Sequence, residues 1–130
     1  MRPTQDRPLE GVRILIAEDS AIQALDLKAL LENGGAEVIG PAKTVAKALA
    51  LASSAPITCA ILDVMLGKER VSPVAGMLAR RGIGFVFYTG GAGLDELRRE
   101  WPKAQVVTKP APFEALLKAV QAACQVSSGC

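Results

Sequence analysis

The sequence predicts an α/β domain in which five parallel strands form a doubly wound sheet with five helices on its faces. Three observations predict it. Between Val12 and Cys124, short apolar runs alternate five times with stretches of helical character. The runs in "VRILIAED", "TCAILD" and "IGFVFYTG" are apolar almost without a break, the pattern of strands covered on both faces. Each run is followed by a crossover segment, which parallel neighbours require.

The elements follow in order. "VRILIAED" (Val12 to Asp19) is a strand ending in two carboxylates, and "SAIQALDLKALLENGG" is a helix closed by Gly34 and Gly35. "AEVIGPA" is the second strand. In "TVAKALALASSAP", Val45, Ala48, Leu49 and Ala52 fall at the i, i+3, i+4, i+7 positions of a helix, with Thr44 placed to cap it. "TCAILD" is the third strand. "VSPVAGMLARRG" is a helix with Ser72 as cap, Pro73 in its first turn, and Arg80 and Arg81 as a solvated end favoured by the helix dipole. "IGFVFYTG" is the fourth strand, and "LDELRREW" a short polar helix stopped near Pro102, with Trp101 assigned to the core. "AQVVTK" is the fifth strand. From Ala111 the last helix carries Phe113, Leu116, Leu117, Val120 and Cys124 along one stripe, the side expected to pack on the sheet. Residues 1–10 and 125–130 are expected to be unpacked tails around a domain spanning 11–124.

Composition narrows the function. A chain of 130 residues fits one domain and buries roughly two-thirds of the surface its unfolded form exposes. The net charge is only +2 with both signs interspersed, so no clustered basic face offers itself to nucleic acid. No apolar run reaches membrane-spanning length, and "MRPTQDRPLE" has no apolar core like that of a secretory signal. A cytoplasmic protein without a membrane partner is expected. Cys59, Cys124 and Cys130 form no paired framework and read as small buried residues. The sequence has no histidine, which excludes chemistry needing a histidine base, nucleophile or metal ligand, and with it serine hydrolases, zincins and histidine phosphocarriers.

Ligands of such sheets bind at the carboxyl ends of the strands. Those ends hold Glu18 and Asp19, Asp63, Thr89 and Lys109, each directly after an apolar run. Three carboxylates brought to one edge repel, and a single lysine cannot neutralise them, so a divalent cation is the economical answer. Oxygen ligands without His or Cys point to Mg²⁺. A carboxylate beside Mg²⁺, a lysine and a hydroxyl is equipment for phosphoryl transfer to an aspartate, which makes Asp63 the nucleophile.

The order acidic pair, Asp, Thr, Lys-Pro over Val12 to Cys124 resembles the receiver domain of two-component response regulators. That resemblance implies a flavodoxin-like sheet with strand order 2-1-3-4-5, and because the sequence ends at the domain's edge a stand-alone receiver without an output domain is expected. It implies that Asp63 in "ILDVMLG" accepts a phosphoryl group from a sensor histidine kinase or phosphotransfer protein. By the same resemblance, Asp19 is a direct Mg²⁺ ligand, Glu18 acts largely through water, and Met65 lends its backbone carbonyl. Thr89 is the switch hydroxyl, and Lys109 in "VTKP" binds the phosphoryl group, with Pro110 following a cis bond. The fourth helix, fifth strand and fifth helix form the partner face. "FVFYTGGAG" is similar to a subgroup of single-domain receivers marked by Phe-Ala-Thr-Gly and associated with sensor kinases of the HWE type. Here Tyr88 replaces the alanine, and Gly91-Ala92-Gly93 follows where that subgroup often has an aromatic.

Two departures bear on signalling. Val106 stands where receivers usually carry an aromatic switch residue, and Gly90 where a small alanine is common. Signal transmission by ordering of the Gly90–Gly93 loop and the short fourth helix is the corresponding expectation. Such a domain catalyses only its own phosphorylation and dephosphorylation, and it acts by binding a protein partner or by draining phosphate from the kinase. Two other readings stay open: a module that binds partners without ever being phosphorylated, and an aspartate-nucleophile phosphatase of the haloacid dehalogenase kind. The latter needs a second Asp two residues after the first, where this sequence has Met65.

Overall fold

The computed structural model of the chain describes residues 7–128. Its elements are β1 (Arg13–Ala17), α1 (Ala21–Asn33), β2 (Glu37–Ala42), α2 (Val45–Ser54), β3 (Cys59–Leu62), β4 (Met65–Leu66), β5 (Glu69–Arg70), α3 (Ser72–Arg80), β6 (Gly84–Thr89), α4 (Leu94–Glu100), β7 (Gln105–Thr108) and α5 (Phe113–Ser128). The main sheet has the order β2-β1-β3-β6-β7 with every pairing parallel, which is the doubly wound arrangement the sequence predicts. Ala17, Leu62, Phe87 and Val106 stand in one row across four strands. Residues just beyond that row therefore emerge together at the carboxyl edge.

The sheet separates two apolar clusters. On one face, Val45, Ala48 and Ala52 of α2, Val74, Ala75 and Leu78 of α3, and Leu97 of α4 cover Leu15, Leu62 and Phe87. On the other, Leu27 and Leu31 of α1 and Leu116, Val120 and Ala123 of α5 cover Ile14, Ile61 and Val86. Burial of a side chain such as Leu or Val stabilises by about 1.5–3 kcal/mol, so these two layers hold the sheet. Trp101 packs at the edge of the first cluster, edge-on to Phe85 with centroids 5.4 Å apart, in the core role expected of it.

Side-chain caps start two of the five helices. Thr44 caps α2 by accepting the Lys47 N–H at 3.1 Å, and Ser20 caps α1 by accepting the Gln23 N–H at 3.3 Å. Ser72 does not cap α3. Val71 holds that position, and the Ser72 hydroxyl instead donates to Glu100 at 2.8 Å, a partner brought in by the fold. Arg81 is also not simply solvated, because its Nη1 donates to the carbonyls of Ala52 and Ala55 at 2.7 and 3.0 Å and closes the end of α2.

Gly84 sets the approach of α5 to the sheet. A Cβ at that position would collide with the Ala123 carbonyl oxygen, so only glycine lets the helix lie this close.

Both expected tails need correction. Leu9 is buried, its N–H donates to the Gly34 carbonyl at 2.7 Å, and its side chain packs in the second cluster, so residues 7–10 belong to the folded unit. Residues 1–6 lie outside the described part. At the other end α5 continues through Ser128, past the boundary expected at 124, because no helix breaker interrupts "QAACQVSS"; residues 129–130 lie outside the description. Among the described residues no helix is long and apolar enough to cross a membrane.

Candidate functional site

The strand ends deliver the acidic residues to one place. β1 runs straight into Glu18 and Asp19, and the Asp63 N–H donates to the Ala17 carbonyl at 2.9 Å, which holds the end of β3 beside them. One carboxylate oxygen from each of Glu18, Asp19 and Asp63 lies within 4.8 Å of the others. Their environments differ. Glu18 is 3% exposed, Asp63 is half-buried and Asp19 faces solvent.

Lys109 enters from the end of β7. Its Nζ donates to Glu18 Oε1 at 2.7 Å, to Asp63 Oδ2 at 3.2 Å and to Gln23 Oε1 at 2.6 Å, which engages all three protons of the ammonium. The Nζ also lies over the Tyr88 ring, 5.1 Å from its centroid. Burial alone pushes the Lys109 pKa down, but the Glu18 hydrogen bond and the charges of Asp63 and Glu18 outweigh it and hold it above its ordinary value. Gln23 was not singled out in the sequence, since a glutamine in a first helical turn gives no signal of a partner 86 residues away.

Asp19 has a different partner. Its Oδ2 accepts the Gly67 N–H at 2.6 Å. Asp19 is therefore not the cap of α1, a role taken by Ser20, while Glu18 Oε2 accepts the Ser20 N–H at 3.1 Å. Gly67 occupies the turn between β4 and β5, an antiparallel hairpin pairing Met65 with Arg70 and Leu66 with Glu69. Its φ of +63° suits glycine at this tight turn. Sequence reasoning missed the hairpin because "GKER" lacks the apolar alternation that marks a strand.

The other expected site residues take these places. Thr89 ends β6, is buried, and its Oγ1 accepts the Gly91 N–H at 3.2 Å. Its carbonyl accepts the Lys109 N–H at 2.8 Å, so hydroxyl and lysine belong to adjacent strand ends. Gly90 is exposed with open space around it. Pro110 follows a cis bond after Lys109. Met65 opens the hairpin two residues beyond Asp63, its side chain turned toward Gly93. Val106 packs into the first apolar cluster, in the row that contains Phe87.

Three carboxylates with no nitrogen or sulfur donor match a small, hard divalent cation that keeps part of its water shell. A half-buried carboxylate flanked by an ammonium and such a cation has the charge balance to attack a phosphoryl group.

No protein-family model and no curated protein matches the sequence. Solved structures do match. A response regulator receiver protein from Sinorhizobium medicae WSM419 superposes with a TM-score of 0.79 at 27% identity, covering 92% of this chain and 99% of that one. The fold is that of a receiver domain. The non-phosphorylated HemR receiver domain from Leptospira biflexa superposes at 0.73 with 26% identity over 87% of this chain and 94% of its own. A CheY-like receiver domain protein from Methanospirillum hungatei JF-1 shares the fold at 0.78, with 24% identity and coverage of 91% and 97%. The receiver fold thus covers 87–92% of this chain in these superpositions.

Proposed function

We propose that this receiver fold accepts a phosphoryl group on Asp63 from a sensor histidine kinase or phosphotransfer protein of a two-component system. The observation that carries this reading is the convergence of Glu18, Asp19 and Asp63 oxygens within 4.8 Å, with Lys109 bridging Glu18 and Asp63. Asp19 and Asp63 would hold Mg²⁺ with the Met65 carbonyl, and Glu18 through water. Bound there, Mg²⁺ supplies positive charge that screens the carboxylates and the phosphoryl oxygens.

The chain's own groups do the rest. An Asp63 oxygen attacks phosphorus as the P–N bond to the donor imidazole breaks, and the imidazole leaves. Lys109 passes from the Asp63 carboxylate to the incoming phosphoryl oxygens, while Glu18 and Gln23 keep its ammonium in place. The Thr89 hydroxyl exchanges the Gly91 N–H for a phosphoryl oxygen, which carries the event into the Gly90–Gly93 loop. The domain acts on no separate substrate. It signals by phosphorylation-dependent protein binding or drains phosphate from its kinase, and "FVFYTG" favours an HWE-type kinase as the donor.

The donor also finds a surface. Ile22 and Leu25, in the first turns of α1 after the acidic pair, are 75% and 63% exposed. A groove lined by Gln23, Leu27, Leu30, Lys109, Pro110 and Phe113 lies beside them. A phosphoryl donor presenting an apolar helix face could dock there with its reactive nitrogen near Asp63.

The test is intact mass after incubation with acetyl phosphate and Mg²⁺, for wild type, Asp63→Asn and a metal-free control. A labile gain of one phosphoryl group, present only in wild type with metal, is expected. No gain, together with no Mg²⁺ binding, would overturn the reading in favour of an unphosphorylated interaction module.

A further inference from the structure

The cysteines were expected to be unrelated small core residues, and the fold places two of them together. Cys59 begins β3 and is fully buried; Cys124 lies on α5, half-buried at the edge of the same apolar cluster. Their sulfurs are 2.9 Å apart across 65 residues of sequence. The contact follows from the backbone. Gly84 pairs with Cys59 in the sheet, and its missing side chain admits the Ala123 carbonyl of α5, which seats the next residue, Cys124, over the Cys59 thiol.

We propose that Cys59 and Cys124 are a redox-active dithiol that a small disulfide, such as oxidised glutathione, converts into an internal bond clamping α5 to β3. The Cys124 thiolate attacks one sulfur of the small disulfide, forming a mixed disulfide and expelling one thiolate. Cys59 then attacks the Cys124 sulfur, its proton passes to the second departing thiolate, and the small disulfide leaves as two thiols. Two cysteine thiols are oxidised and one small disulfide is reduced. The order of attack follows exposure, since of the two Cys124 is partly exposed and Cys59 is buried. It also matches the acidities: hydrogen bonding to Cys124, and then burial, push the Cys59 thiol up, while the same hydrogen bond holds Cys124 below the usual thiol range against the opposing effect of burial.

The closed bond would fix the second half of α5 on the sheet at the pole opposite Asp63, leaving the phosphoryl site untouched. Phosphorylation and oxidation would then be separable inputs to one domain.

The experiment uses the full chain with Cys130→Ser, which leaves only the pair in question. Reduced protein, denatured and treated with iodoacetamide, should take up two adducts. After incubation with excess oxidised glutathione it should take up none, weigh two hydrogens less, and melt at a higher temperature that dithiothreitol reverses. Wild type treated in parallel should yield a linked peptide pair containing Cys59 and Cys124. Two adducts after oxidation, a glutathione adduct that stays on Cys124, or wild-type linkage only through Cys130 would each overturn the proposal.

Discussion

The Gly67 amide donates to Asp19 Oδ2 at 2.6 Å, which hooks the tip of the β4–β5 hairpin onto the acidic cluster. At the hairpin's base Arg70 Nη2 bonds Glu100 Oε1 of α4 at 2.7 Å, an oxygen that also takes the Ser72 hydroxyl. One short hairpin thus joins a carboxylate of the candidate cation site to α4. A change at Asp19 has a route to that helix, through the Gly67 hydrogen bond and the Arg70–Glu100 ion pair, that does not pass through Val106.

A Mg²⁺ titration followed by NMR should move the Gly67 amide resonance strongly, and Asp19→Asn should suppress that movement. Arg70→Met should leave acetyl phosphate reactivity intact but free α4. The Arg70 and Glu100 side chains are 34% and 45% exposed, and an exposed pair is worth about 0.2–1 kcal/mol, so amide exchange in α4 should speed up no more than about fivefold. Unchanged α4 exchange would remove the hairpin as a link.

Lys109 ties the site to alkaline pH. Its pKa is raised above 10.5 in the fold, so the stability it supplies is complete below 10.5 and is lost as pH rises through the folded value. Urea unfolding of wild type should show this loss above pH 10.5, and Lys109→Met should lack it. At neutral pH Lys109→Met should cost about 1–3 kcal/mol, because it strips Glu18, only 3% exposed, of its cationic partner.

Gly84→Ala should be one of the more damaging single-methyl additions to this chain. The new Cβ would run into the backbone of Ala123, its carbonyl oxygen first, and a backbone cannot rotate away as a side chain can. Relief requires α5 to move, at a cost of about 1–3 kcal/mol or more. A denaturant midpoint within error of wild type would show that α5 does not sit this close.

Ile22→Glu with Leu25→Glu should separate docking from chemistry. Both side chains are exposed and support no core contact, so stability should stay within about 0.5 kcal/mol of wild type. Phosphorylation by acetyl phosphate should be unchanged, whereas phosphotransfer from the cognate kinase should slow at least tenfold. Equal slowing by both donors would place the effect at Asp63 rather than at the donor surface.

Beryllofluoride, a mimic of the phosphoryl group, should alter hydrogen exchange at Gly91, whose N–H now bonds the Thr89 hydroxyl. Thr89→Ala should abolish that response while leaving Asp63 reactive. An unmoved Gly91 amide in wild type would sink the loop-ordering expectation.

The strand ends were legible in the sequence because each candidate site residue follows or ends an apolar run, and period and polarity report that directly. Glu18, Asp63, Thr89 and Lys109 needed only the doubly wound sheet to come together. What stayed hidden depends on contacts between distant segments. The sequence offers no sign that Gln23 completes the shell of Lys109, that Ser72 prefers Glu100 to its own helix, or that Arg81 closes α2. The packing of Leu9 was hidden by its charged neighbours, and the approach of Cys124 to Cys59 by the fact that its cause is an absent side chain at Gly84.

The sheet itself acts as a partition. The apolar cluster under α2, α3 and α4 shares no buried residue with the one under α1 and α5. Damage on one side should therefore sum with damage on the other, as distant independent sites do, whereas two defects on the same side should interact. Loosening on the α4 side therefore need not disturb the packing of α1 and α5 on the other.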